Sequence, residues 1–195
     1  MLILVIGLIL IAIPFVVALF VPKDYSAESE IVIDRPNPVV FDYLKYLKNH
    51  ESFSKWGKPD AHIIKQYFGT DGTVGFVSSW ESTDKQVGKG QQEIRKIAIG
   101  KRIDLELRIL KPYPSVAKVY LTTDPVARNQ TIVVWGFSSR MHYPMNLLLL
   151  FNIKKMIQKD LSQGLENLKA ELEKEEYARR TRDQVNRASD DRPKG

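Results

Sequence analysis

Apolar and polar positions follow three successive patterns along the chain. Residues 1–21 contain no charged side chain and no Asn, Gln, Ser or Thr. From Tyr25 apolar residues alternate with polar ones, as in half-buried β-strands, and after Pro144 they recur with the 3.6-residue period of an α-helix. The sequence therefore predicts one wholly apolar helix, then a run of strands, then a long amphipathic helix.

The apolar segment has the length of a membrane span. About 21 residues at 1.5 Å each reach about 31 Å, close to the roughly 30 Å hydrocarbon core of a bilayer. A cleaved signal peptide is the competing interpretation, but no Lys or Arg precedes the segment, and the region around Ala18 and Phe20 is a poor cleavage site. We predict a transmembrane anchor over residues 1–22 of a single-pass cell-membrane protein. Lys23 and Arg35 follow the anchor, so the positive-inside rule places the remaining domain on the cytoplasmic side.

Seven strands are predicted between Tyr25 and Ser139. The first ends at Asp34, and a Pro-containing turn leads into a short amphipathic helix with Pro38 in its first turn. Residues 49–58 are expected to be irregular or briefly helical. Turn sequences separate six further strands, predicted over residues 61–69, 73–81, 87–97, 103–109, 117–121 and 131–139, with a loop over residues 123–130. Gly88 and Gly90 indicate a bulge or bend in the third of these six.

The last predicted element is an amphipathic helix. Its apolar stripe consists of Leu150, Ile153, Ile157, Leu161, Leu165, Leu168 and Leu172. Gly164 within the stripe costs about 1 kcal/mol relative to Ala, so we expect it to permit a close approach to the sheet or a bend. Beyond Glu173 the chain is charged and lacks apolar periodicity, which predicts that the helix frays and that residues 174–195 form a disordered tail.

These elements predict an α+β fold. Strands joined by short turns are antiparallel neighbours, and the last helix is the only sizeable apolar element left to cover a curved sheet. We expect a curved antiparallel sheet wrapped around a long C-terminal helix, forming one domain over residues 25–173 behind the anchor.

Composition and charge exclude several classes of function. The chain has 195 residues and a formal net charge of +6, half of which comes from six basic and three acidic residues in Tyr177–Gly195. The rest is too weakly basic for a nucleic-acid partner. The absence of cysteine excludes disulfides, catalytic thiols and thiolate metal sites. The basic tail fits either a solvated segment or a contact with anionic lipid.

Four stretches, taken with the order of elements, carry a resemblance to a known family. They are Glu30–Tyr43, Phe53-Ser-Lys-Trp56, Trp80-Glu81 with Val87–Gly90, and Trp135–Phe137 with Tyr143–Asn146. Over about Tyr25 to Leu172 the chain resembles the helix-grip fold of the START-like superfamily, also called SRPBCC or polyketide cyclase/dehydrase and lipid-transport proteins. It is most similar to the bacterial subgroup with an N-terminal transmembrane segment.

The resemblance implies an apolar cavity between the sheet and the last helix, of the kind that holds a lipid or another hydrophobic small molecule. The inward-facing residues of the predicted elements are the candidates to line it, although the same residues also suit an ordinary core. They are Phe76, Trp80, Leu105, Leu107, Val119, Leu121, Trp135, Leu150, Ile153 and Ile157.

No motif indicates catalysis or a cofactor. His50, His62 and His142 lie in separate elements without metal-ligand spacing, and we expect them on the surface or in loops. The charges of Asp104, Glu106, Arg108, Lys89, Glu93 and Arg95 are expected to pair on the solvated face of the sheet. We therefore expect a membrane-anchored binder of a hydrophobic ligand, without catalytic, metal or cofactor residues.

Two alternatives stay open. The first is an enzyme of the polyketide cyclase/dehydrase type, to which Ser78, Gln92 and Tyr120 could contribute polar groups. The second is a protein-interaction module of the same fold, which an exposed apolar patch outside the cavity would favour.

Overall fold

The fold is described by a computed structural model covering residues 2–54, 63–84 and 87–190, without the side chains of residues 2, 3, 5, 8, 9 and 175–190. Trp56, His62 and the start of the strand predicted from Ala61 lie outside the described residues. The helices are α1 Leu2–Phe20, α2 Asn37–Leu44, α3 His50–Phe53 and α4 Ile153–Asp190, with 3₁₀ turns at Leu47–Asn49 and Met145–Leu150. The strands are β1 Asp24–Ile33, β2 Ile64–Phe68, β3 Val77–Glu81, β4 Lys89–Ala98, β5 Arg102–Lys111, β6 Ser115–Ala127 and β7 Gln130–Arg140.

One antiparallel sheet holds all seven strands in the order β1-β7-β6-β5-β4-β3-β2. Helix α4 runs beside the edge strand β1 in the same direction. Ser29 Oγ lies 2.7 Å from Ser162 Oγ, and further along both elements Lys169 Nζ donates to Val32 O at 2.7 Å. This arrangement confirms the predicted curved antiparallel sheet with a long C-terminal helix.

The core lies between the concave face of the sheet and helices α2, α3 and α4. The apolar stripe of α4 supplies Leu161, Leu165, Leu168 and Leu172, each at most 1% exposed. Opposite them the sheet contributes alternating residues, because successive side chains of a strand point to opposite faces. The sheet residues are Ala27, Ile33, Ile94, Ile103, Leu105, Val119, Leu121, Val133 and Trp135.

Strand β6 is longer than the sequence predicts. It continues to Ala127, through residues predicted as a loop, because Thr123, Asp124 and Pro125 pair with β7. The neighbour β5 pairs with β6 only as far as Thr122, so Pro125 lies where no partner on that side needs its missing N–H donor.

Helix α4 also departs from its predicted ends. It begins at Ile153, because Asn152 has a φ of 59° and breaks the helical path, which leaves Leu150 in the preceding 3₁₀ turn and 58% exposed. At the other end the helix reaches Asp190 rather than fraying near Glu173, since Glu, Lys, Arg and Ala favour helix without an apolar partner. The assignment of residues 174–195 to a separate tail stays a prediction.

Helix α1 joins the domain through the short connection of residues 21–23. Its described apolar side chains are mostly exposed, and only Ala18 is buried against the domain. Among the residues that the structure describes, no helix is found to combine the length and apolarity of a membrane span.

Candidate functional site

The concave face of the sheet has two unlike ends. We call proximal the end at which β1 begins and β7 ends, because α1 joins the domain there. The opposite end, at which β1 ends and α2 begins, is called distal. Helix α4 starts at the proximal end and runs towards the distal one, so its two halves cover different parts of the face.

Burial of the concave residues rises from the proximal to the distal end. In the most proximal row that reaches from β3 to β1 every residue except Ala117 is half-buried, and the row consists of Ser78, Gln92, Leu107, Ala117, Ser139 and Tyr25. In the next row only Phe137 remains half-buried, beside Ile94, Leu105, Val119 and Ala27. One row further, Ile103, Leu121 and Trp135 are at most 4% exposed, and half-buried residues remain only at the two sides of the row, Ile97 and Ser29. The concave face therefore consists of an open proximal half and a sealed distal half.

The distal half is sealed by aromatic packing against α4. The ring of Trp135 lies edge-on to Phe53 of α3, with 5.6 Å between centroids, and rests on Gly164 of α4. A Cβ atom at Gly164 would lie 2.6 Å from this indole, so the glycine permits the close approach that the sequence predicts. Together with the α4 leucines, these rings leave this half as a packed core.

The open half has apolar walls and a few polar groups. Half-buried apolar side chains come from Trp80 of β3, Leu107 of β5 and Phe137 of β7, and Ile157 lies on the first turns of α4. A cavity of about 460 Å³ lies at the β1 edge of the sheet, and its lining residues are Ser26, Ala27, Glu28, Tyr120, Phe137, Ser138, Lys154 and Gln158. Among its sheet residues only Ala27 and Phe137 belong to the concave face, so this cavity lies mainly outside the open half.

Glycines shape the wall beside Trp80. Its indole lies directly over Gly90 of β4, and its Nε1 donates to Val87 O at 3.3 Å. The pairing of β4 with β5 shifts register between Lys89 and Gly90, which confirms the predicted irregularity. The missing side chain of Gly90 thus lets the indole lie flat on the sheet.

The predicted cavity residues fall into three groups. Trp80, Leu107, Ile153 and Ile157 are half-buried, the first two on the open half and the others at the start of α4. Phe76, Leu105, Val119, Leu121 and Trp135 are buried in the core cluster. Leu150 does not face the interior. The sequence reasoning missed Phe137, although it follows Trp135 by two positions and therefore lies on the same face of β7.

A second and larger cavity, of about 1100 Å³, lies at the distal end outside the grip of the sheet on α4. Its walls include Pro36, Phe41, Ile97 and the β6–β7 turn, with Ile99 and Val126 exposed beside it. This cavity is separate from the one that the sequence predicts between sheet and last helix.

Polar groups converge at the β2 edge of the concave face. The carboxylate of Glu51 on α3 accepts from Lys65 Nζ at 2.6 Å and from Tyr67 Oη at 2.7 Å. Burial, together with this hydrogen bond to a carboxylate, raises the pKa of Tyr67 to about 12. Tyr67 stays protonated as a donor at neutral pH, so these bonds hold α3 against the sheet edge. Sequence reasoning did not find this cluster.

The residues considered for catalysis do not meet. Ser78 and Gln92 are cross-strand neighbours on the concave face, whereas Tyr120 lies on the convex face. There its hydroxyl donates to Glu28 and its ring lies under Arg102, at 4.2 Å from guanidinium carbon to centroid. The hydrogen bond to Glu28 raises the pKa of Tyr120.

The predicted surface charges pair on the convex face. Glu93 contacts Arg95 at 2.7 Å and, across the strands, Arg108 at 3.3 Å, while Lys89 contacts Glu81 at 2.7 Å. Salt bridges with this exposure stabilise a fold by only about 0–1 kcal/mol each. No cluster of three or more metal-ligating side chains occurs in the described part of the chain.

His50 is buried, which corrects the expectation of a surface histidine. Its Nε2 donates to Leu44 O at 2.7 Å, and its ring packs against Phe53 with centroids 5.2 Å apart. His50 begins the short α3, and this places its ring against the end of α2. A single histidine in the sequence gives no sign of this placement. Burial lowers the pKa of His50, which is consequently neutral in the folded protein at pH 7.

Acidification is therefore expected to destabilise the fold through His50. As pH falls below the ordinary histidine pKa of 6.5, the unfolded chain binds a proton that the folded chain resists. The free energy of unfolding, measured by denaturant titration, should decrease from about pH 7.5 to about pH 5. His50→Gln keeps a donor for Leu44 O without titrating, so this variant should lose less stability over that interval. Equal losses in both proteins would contradict the role of His50.

Comparison with known proteins gives a match at the level of structure. No family model and no curated sequence matches the chain. Truncated norcoclaurine synthase from Thalictrum flavum superposes with a TM-score of 0.60 at 8% identity, covering 78% of this chain and 96% of that one. The protein TTHA0849 from Thermus thermophilus gives 0.53 at 15% identity, covering 75% and 95%.

A third solved structure, Ara h 8.0201, gives a TM-score of 0.51 at 11% identity over 75% of this chain and 96% of that one. Sequence identities this low indicate a shared fold but do not indicate a shared activity. The seven-stranded antiparallel sheet, the long C-terminal helix and these neighbours agree: the chain has the helix-grip fold of the Bet v1 and SRPBCC type.

Proposed function

We propose that this protein is anchored in a membrane by α1 and binds a hydrophobic ligand, such as a lipid acyl chain, in the open half of its concave face. The observation that carries the proposal is the gradient of burial along that face. The concave residues of β5, β6 and β7 are buried at the distal end, whereas Leu107 and Phe137 at the proximal end, with Trp80 of β3, remain partly accessible. Apolar surface of this kind gains free energy when it is covered, at about 25 cal/mol per Å².

The position of the open half supports a ligand from a membrane. It lies at the proximal end, where α1 meets the domain, and α1 presents an unbroken run of apolar residues along its length. A ligand that partitions into the bilayer would be concentrated beside the open half by such an anchor. The larger distal cavity lies at the far end of the sheet from α1.

The chemistry of the open half supports binding over catalysis. Its polar groups are the neutral Ser78, Gln92 and Ser139, and none of them belongs to an ion pair or a histidine contact that would activate it among the described residues. Neutral hydroxyl and amide groups can orient the polar end of a lipid. The polar cluster of Glu51, Lys65 and Tyr67 is hydrogen-bonded internally, and these bonds hold α3 against the sheet edge.

Photolabelling of the full chain in nanodiscs tests the proposal. A phospholipid with a diazirine on its acyl chain should label both α1 and peptides containing Leu107 or Phe137. Leu107→Trp would displace about two methylene groups, at about 0.8 kcal/mol each, so labelling of the open half should fall about tenfold. The label on α1 should not change.

Val126→Trp is the matched control. It places the same bulky side chain on the rim of the distal cavity, and labelling of the Phe137 peptide should stay at the parent level. The far-UV circular dichroism of both variants should match that of the parent protein. Labelling confined to α1 in the parent protein, or equal labelling of the Phe137 peptide in both variants, would contradict binding in the open half.

A further inference from the structure

The junction between α1 and the domain is built around one buried amide. Asn146 is 0% exposed, and its Nδ2 donates to Ala18 O at 2.6 Å and to Val21 O at 2.9 Å. These carbonyls lie at the end of α1, where the final carbonyls have no partner within the helix. The Met141 N–H also donates to Lys23 O at 2.9 Å. The segment after β7 is thereby fixed against the end of α1.

This fixed segment exposes an unusual number of large apolar side chains. We call them the junction patch: Tyr143, Met145, Leu148, Leu150, Phe151 and Met156, which are between 39% and 75% exposed. Single exposed apolar residues are ordinary, whereas six within fourteen consecutive positions make this segment a candidate interaction surface. None of these six side chains belongs to the core cluster.

The charge around the junction patch indicates what covers it. Residues 141–159 contain Lys154, Lys155 and Lys159 and no Asp or Glu, so the segment carries a formal charge of +3. The three lysines are exposed on the first two turns of α4. Apolar and aromatic side chains flanked by lysines are typical of elements that lie in the interface of an anionic bilayer.

We propose that the junction patch inserts into the interfacial layer of an anionic phospholipid membrane, held beside α1 by Asn146, so that the open half of the concave face meets the bilayer surface. This inference rests on the proposed function for the role of α1 as an anchor. The patch and the open half are adjacent because the start of α4 contributes to both. A lipid chain therefore passes between bilayer and open half without crossing water.

Depth-resolved fluorescence of the full chain tests the insertion. The chain has no cysteine, so Phe151→Cys and Ile99→Cys each carry a single environment-sensitive fluorophore. Ile99 is 88% exposed at the distal end and serves as the matched control. In liposomes containing phosphatidylglycerol, the probe at 151 should shift to the blue and be quenched by spin labels near the headgroups. The fluorophore at position 99 should show the emission of an aqueous environment and little quenching.

Two further variants examine the parts of the proposal. Lys154→Glu with Lys155→Glu should lower the ratio of inserted to exposed probe, by about fivefold for each lysine lost, and the effect should vanish in neutral lipid. Asn146→Leu removes both donors to α1 and should reduce quenching at 151 even while the protein stays in the liposomes. Circular dichroism establishes that each variant is folded.

The outcomes separate the two proposals. If the protein does not float with liposomes, α1 is not an anchor and the proposed function fails together with this inference. If it floats but the probe at 151 reports water, the junction patch does not insert, while anchoring and ligand binding stand. Quenching at 99 equal to that at 151 would also overturn the inference, because the domain would then lie on the membrane without a preferred face.

Discussion

Replacing Trp135 with Ala is expected to lower the free energy of unfolding by about 3–5 kcal/mol, the usual cost of removing a buried aromatic ring. Trp135 is 4% exposed and contacts elements that are distant in sequence, Phe53 of α3 and Gly164 of α4. Its removal would leave a cavity between the sheet and α4 that rigid backbones cannot close. Denaturant unfolding in detergent micelles, followed by far-UV circular dichroism, measures the loss.

Tyr113→Ala is the control for this prediction. Tyr113 is also aromatic, but it is 75% exposed in the β5–β6 turn, and its removal should change stability by no more than about 0.5 kcal/mol. A loss below about 1 kcal/mol for Trp135→Ala would mean that the distal half is not sealed by this ring. The distinction between a sealed and an open half would then have to be abandoned.

The periodic elements are the part of the fold that sequence alone predicts well. Leu161, Leu165, Leu168 and Leu172 are buried on one face of α4, and Ile103 and Leu105 alternate into the core, because both patterns depend only on local geometry. The family resemblance adds the order of elements. The structural neighbours support that order with identities of 8–15%, so the fold persists where the side chains differ.

Departures from the prediction arise where long-range pairing overrides local sequence. Thr123, Asp124 and Pro125 have the composition of a loop, yet pairing with β7 extends the strand through them. In the sequence Leu150 continues the apolar stripe of α4. In the structure the left-handed backbone at Asn152 separates Leu150 from the helix, which begins at Ile153. Neither the pairing nor this break is visible in apolar periodicity.

The candidate site is harder to predict than the fold for the same reason. Leu105 and Leu107 are the same residue type, in the same strand, on the same face, and only one of them is buried. The difference depends on which distant elements cover each part of the sheet, and no local pattern encodes that coverage. Sequence therefore identifies the concave face as a whole, and the structure divides it.

Gly164 offers the sharpest test of that division. Substitution of an exposed helix-interior glycine by Ala stabilises a helix by about 1 kcal/mol, because Ala loses less backbone entropy on folding. At Gly164 the new methyl group would meet the Trp135 indole at 2.6 Å, far inside van der Waals contact. Gly164→Ala should instead lower the free energy of unfolding by about 1–3 kcal/mol, the range seen for overpacked cores.

A double-mutant cycle isolates the contact that causes this reversal. Trp135→Phe removes the outer indole atoms that face Gly164, so in that background Gly164→Ala should cost little or even stabilise the protein. The measurement is the free energy of unfolding of the four proteins under one set of conditions. If Gly164→Ala stabilises the parent protein, or if its effect is the same in both backgrounds, then α4 and the sheet do not touch at this point. The distal half would in that case have room for a ligand of its own.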